Sequence, residues 1–161
     1  MSVNMARREL DVQRIVDIAS IPSDTELQSW VELALQDYSP DAEVLIRIVD
    51  SDEISALNQQ YRHKQGATNI LSFPIEIPEG VEDIDLLGDL VVCPSVLEQE
   101  ALSQEKELKN HWAHIIIHGI LHLLGYDHVE ESDADEMEAK EILMLQKIHI
   151  NNPYQEQEVN V

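Results

Sequence analysis

Cysteine is nearly missing from this 161-residue chain. Its one copy, Cys93, excludes an internal disulfide framework and a zinc site built from thiolates. Glycine and proline are scarce too, at five and six residues, while 43% of the residues are apolar, so a disordered chain is excluded. No apolar run approaches the ~20 residues that span a bilayer, so no membrane association is expected. The N-terminal residues Met1 to Arg8 carry charge without an apolar stretch behind it, unlike a secretory signal. Basic residues are the last shortage: ten Lys and Arg stand against 32 Asp and Glu, a formal charge of −22. The field of such a molecule repels phosphates and anionic lipid. A nucleic-acid function would need a local positive site, a bound cation or a partner. The expectation is one soluble, cytoplasmic domain covering residues 1–161.

What is present reads as interleaved strands and helices, followed by helices alone. Leu10 and Val12 alternate with polar residues in a first strand. Ser23 and Glu26 form a capping box, and Leu27, Trp30, Val31 and Ala34 follow at helical spacing. Glu43 to Val49 is a β-branched strand; Asp50 to Glu53 opens a second helix with Ile54, Leu57 and Tyr61 on one face. After a polar loop at 62–67, a short strand over Thr68 to Phe73 should stop at Pro74. Residues 76–85 read as an acidic loop, and Leu86 to Cys93 as an apolar central strand. Helices are expected over Ser95 to Leu102, Glu105 to Leu124 and Ser132 to Ile148, with Met137, Met144 and Ile148 in the core. The class is α+β: one domain with a small mixed β-sheet and a buried helix that carries histidines.

The chemistry concentrates in that helix. Five of the seven histidines fall between positions 111 and 128. His111, His114, His118 and His122 are spaced three, four and four apart, which puts them in one stripe on a helix. Their neighbours are apolar nearly all round, so the helix is buried and each imidazole needs a partner. His118 and His122, one turn apart, can share one Zn²⁺. Gly125 can end the helix in a left-handed turn and return His128 to the same point. Three histidines and an open position describe a catalytic zinc site. Hydrogen bonding of these rings to backbone or to acids such as Asp127 and Asp89 is the structural alternative. His114 and His118 share the same spacing as His118 and His122, but only the later pair adjoins the glycine turn. His111 and His114 therefore read as supporting or cleft-lining groups.

The run from His118 to His128 resembles the zinc motif of metzincin peptidases, but Gly119 stands where those enzymes carry a glutamate base. A closer resemblance is to the YbeY family of bacterial metal-dependent endoribonucleases. It rests on Leu57 to Arg62, Thr68 to Pro74, Leu87 to Val91, His111 to His128, and Met137-Glu138. The resemblance implies a zincin-like fold, cleavage of single-stranded RNA, maturation of the 3′ end of 16S rRNA, ribosome quality control and a cytoplasmic location. It also implies that Arg62 is catalytic and holds a phosphate by paired N–H donors. Lys64 is retained from the family pattern as a second substrate-binding cation, whereas Gln65 replaces an acid.

The mechanism expected is metal-assisted phosphodiester cleavage, with Zn²⁺ on His118, His122 and His128 and with Arg62 stabilising charge at phosphorus. Zinc suits three imidazoles, although other divalent metals also accept them. Given the net charge, a ribosome or a ribosome-assembly factor is expected to deliver the RNA. A zincin-like metallopeptidase and a noncatalytic metal-stabilised assembly module are the alternatives.

Overall fold

The computed structural model describes residues 6–81, 84–126 and 130–154. Four strands form a single mixed sheet among these residues: β1 (Arg8–Arg14), β2 (Ala42–Ile48), β3 (Ile70–Pro74) and β4 (Leu86–Val92). Their order is β1-β2-β4-β3, with β1, β2 and β4 parallel and β3 antiparallel to β4 at one edge. Five helices accompany them: α1 (Asp24–Ala34), α2 (Ser51–Arg62), α3 (Pro94–Ser103), α4 (Leu108–Leu123) and α5 (Glu131–Lys147). The class is α+β, as expected from the order of patterns.

Strict alternation in β2 divides the interior in two. Ala42, Val44, Ile46 and Ile48 point into the main core with Leu90, Val92, Leu27, Trp30, Ile116, Ile117 and Ile120. On the opposite face, Leu71, Val91 and Cys93 pack with Val49 and Ile54 in a smaller cluster beside α2. The capping box at α1 is formed: Ser23 Oγ accepts from the Glu26 N–H, and Glu26 accepts from the Ser23 N–H. Asp50 caps α2 by accepting from the Glu53 N–H at 2.9 Å.

α4 is the central helix. It packs on α1, α3, α5 and β3, and every residue from His111 to Ile117 is buried. Its close seat on the sheet depends on Gly119, where an added Cβ would lie 2.6 Å from Ile70 Cδ1 and 3.0 Å from Leu90 Cδ2.

Some expectations are corrected. Tyr61 is 57% exposed rather than part of the buried face of α2, where Ile54 and Asn58 are buried; its ring meets Phe73 edge-on. β3 starts at Ile70 instead of Thr68; it ends at Pro74 as expected, with Pro74 itself the last paired residue, opposite Gly88, a position an edge strand tolerates. α4 begins at Leu108 instead of Glu105, because Glu105 has φ of 54° and separates α3 from α4. Ile148 is only partly buried, while Met137 and Met144 are core.

Candidate metal centre

The four histidines of α4 form the expected stripe, with successive ring centroids 6.3, 6.2 and 4.6 Å apart. The last pair converges: His118 Nε2 and His122 Nε2 face each other at 3.1 Å. Both rings are half-buried and border a groove of about 610 Å³. Beyond them α4 ends in a Schellman turn, in which Tyr126 N–H bonds Leu121 O and Gly125 N–H bonds His122 O. Gly125 takes φ of 102°, the left-handed conformation that an L side chain resists. His128 and Asp127 lie outside the described residues.

The other ring nitrogen of His118 faces inward. Its Nδ1 lies 2.5 Å from Oε1 of Glu141, a carboxylate with no solvent exposure. Glu141 comes from the core face of α5, which also presents Met137, Met144 and Leu145. Its second oxygen, Oε2, accepts the Tyr154 O–H and lies 3.3 Å from His114 Nε2; that ring nitrogen is also 3.1 Å from the Tyr154 hydroxyl. Burial pushes the Glu141 carboxyl up. Hydrogen bonds from His114, His118 and the Tyr154 hydroxyl outweigh it and hold the group at about 2. Burial is also the main influence on His114, whose pKa it lowers against the opposing pull of Glu141. The Tyr154 phenol is raised by burial and by the carboxylate it touches. His114, His118 and Glu141 offer ligand atoms within 4.8 Å of one another and form a group that could hold a metal ion.

His111 has a separate partner: its Nε2 is 3.1 Å from Glu100 Oε1. The same carboxylate accepts from Asn69 Nδ2, tying α3 and α4 to the start of β3. Burial raises the Glu100 carboxyl, but the bonds from His111 and Asn69 lower it further, below the ordinary range. Among the described residues, the acids that meet His111, His114 and His118 are thus Glu100 and Glu141 and not Asp89.

The groove floor and walls come from Thr68, Asn69, Ser72, Pro74 and Tyr126, with Arg62 at its edge. Arg62 is exposed and makes no ion pair among the described residues. It ends α2, and His63 closes that helix with φ of 55°. Asn58, buried in α2, holds the following loop by donating to Gly66 O and accepting from the Lys64 N–H through its backbone carbonyl. Lys64 is exposed on that loop and does not line the groove. Asn69 and Ser72 line it; Ser72 Oγ also donates to Gly119 O at 3.2 Å.

Sequence reading missed Glu141, Tyr154 and Glu100. A signal for the first was available: Met137, Glu141, Met144 and Leu145 recur at the spacing of a core stripe, with one acid inside it.

Comparison with known proteins matches residues 12–149 to the YbeY family, described as Endoribonuclease YbeY. A protein of that name from Pseudomonas putida KT2440 is 51% identical over 152 residues, covering 94% of this chain and 96% of its own. Another from Pseudomonas putida W619 is 53% identical over 150 residues, 93% of this chain and 95% of its own. A Thermotoga maritima protein solved in solution superposes with a TM-score of 0.56 at 29% identity, covering 89% of each chain.

Proposed function

The chain belongs to the YbeY family of endoribonucleases, and from that membership we propose that it cleaves single-stranded RNA at a zinc ion held by His118, His122 and His128. The observation that carries this reading is the 3.1 Å approach of two Nε2 atoms at the groove. Two imidazole ligands of one tetrahedral zinc, each at ~2.0–2.1 Å, lie about 3.3 Å apart. The competing group, His114, His118 and Glu141, is less suited to the ion. His118 Nδ1 and Glu141 Oε1 are at hydrogen-bond distance, 2.5 Å, and the second carboxylate oxygen is already engaged by Tyr154 and His114.

A zinc ion in such a site supplies Lewis acidity and lowers the pKa of water to around 7. The chain's own residues bind and orient. Arg62, at the rim of the groove, offers paired N–H donors to a phosphate and stabilises the charge that develops at phosphorus. Lys64, on the loop anchored by Asn58, adds a second cation for the RNA backbone. Residues 1–161 act as one catalytic domain.

A peptidase reading is disfavoured at Gly119. The space beside it is filled by Ile70 and Leu90, so a glutamate base in its place would collide with the sheet. The biological setting we propose is the cytoplasm, in 16S rRNA 3′-end maturation and ribosome quality control. The −22 charge favours delivery of the RNA by a ribosome or an assembly factor over capture from solution.

The test is a cleavage time course on single-stranded RNA before and after chelation, with elemental analysis of the same protein. About one zinc per chain and activity lost on chelation and restored by zinc are expected. His118→Ala should abolish both metal retention and cleavage while the fold is kept; Arg62→Ala should retain metal and lose on the order of 10²–10³ in rate. Wild-type cleavage by His118→Ala would refute the reading.

A further inference from the structure

A carboxylate buried among Met137, Met144 and Leu145 is unfavourable unless its oxygens are fully engaged, so the presence of Glu141 in the core of α5 calls for a cause. We propose that Glu141 is a positioning residue for the metal ligand His118, fixing that ring's tautomer and direction, and that Tyr154 and His114 lock Glu141 in turn. This rests on the reading of His118 as a ligand.

An imidazole that binds a metal through Nε2 must carry its proton on Nδ1. Glu141 Oε1, 2.5 Å from that nitrogen, selects this tautomer, aims Nε2 toward His122 and raises its basicity. The carboxylate cannot swing away. Its other oxygen takes the Tyr154 hydroxyl and faces the His114 Nε2–H, so α4, α5 and the segment after α5 meet on one acid. Tyr154 is itself held. Its N–H donates to Asn152 Oδ1 at 2.8 Å, and the Pro153 carbonyl accepts from Lys106 Nζ at 3.1 Å. His114 thus belongs to the support of His118 and not to the ion.

The experiment measures zinc affinity by chelator competition for the full chain and for Glu141→Gln, Glu141→Leu and Tyr154→Phe. A nitrogen-15 NMR spectrum of the histidine rings of each accompanies it. Glutamine keeps an acceptor oxygen but loses the charge, and leucine loses both. Affinity should fall about 10-fold in Glu141→Gln and about 100-fold in Glu141→Leu, with Tyr154→Phe between wild type and Glu141→Gln. The Nδ1-protonated form of His118 should dominate in wild type and be lost in Glu141→Leu. Leu145→Ala, which loosens the same helix face, should lower Tm with zinc affinity unchanged, separating positioning from general packing. Folded Glu141→Gln and Tyr154→Phe proteins with wild-type affinity would overturn the proposal even if Glu141→Leu failed to fold. A wild-type chain that takes up no zinc would instead overturn the metal site itself, and this inference with it.

Discussion

At the scale of single residues, the site depends on two positions that do different work on the same helix. His118 uses both ring nitrogens, one toward Glu141 and one toward His122. Gly119, its neighbour, contributes by having no side chain, which lets α4 lie on β3 and β4 closely enough to bring the histidines to the groove. Gly119→Ala would force Ile70 and Leu90 to give way. It should cost ~1–3 kcal/mol by overpacking, read as a lower urea midpoint, and widen the seat of α4. An unchanged midpoint would mean that the sheet relaxes there at no cost.

At the scale of elements, α4 is held from both sides by acids, the buried Glu141 from α5 and the half-buried Glu100 from α3. The Glu100 pair gives a pH signature separate from the candidate metal centre. Its carboxyl is held below the ordinary 4.5, so the folded state binds its proton less readily than the unfolded chain. The stability it adds is complete above that ordinary value and is lost as pH falls below 4.5 through the folded value. Urea unfolding of wild type and Glu100→Gln should therefore differ most near neutral pH, and the gap should close in acid. A gap that widened on acidification would contradict the pairing.

The elements were largely legible because their signals are local. The capping box before α1 and the alternation in β2 need only neighbours along the chain, and both are formed. Glu141 was not legible in that way, since it stands in a helix rich in acids and only its partners on α4 and at Tyr154 distinguish it from a solvated charge. Tyr61 fits a helical face by spacing, yet it stays mostly exposed and meets Phe73 edge-on. Nothing in the local pattern of Thr68 to Phe73 marks Asn69 and Ser72 as groove residues; only the groove beside the edge strand β3 gives them that place.

At the scale of the molecule, the charge of −22 is set against the chemistry of a polyanionic substrate. Among the described residues Arg62 is the one Lys or Arg that lines the groove beside His118 and His122, and Lys64 stands on the neighbouring loop. So few phosphate contacts predict a shallow slope of log affinity against log salt for a naked single strand, about −0.7 per contact, and weak binding throughout. Filter binding across a salt series measures it. Tight binding with a steep slope would require a basic track that the sequence does not supply.

The central claim is that His118, His122 and His128 share one ion at the groove, and anomalous diffraction from crystals of the zinc-loaded protein tests it most directly. The account predicts one peak ~2.0–2.1 Å from Nε2 of His118, from Nε2 of His122 and from a ring nitrogen of His128, with Glu141 still on His118 Nδ1. A peak between His114, His118 Nδ1 and Glu141, or none in zinc-replete crystals, would contradict it.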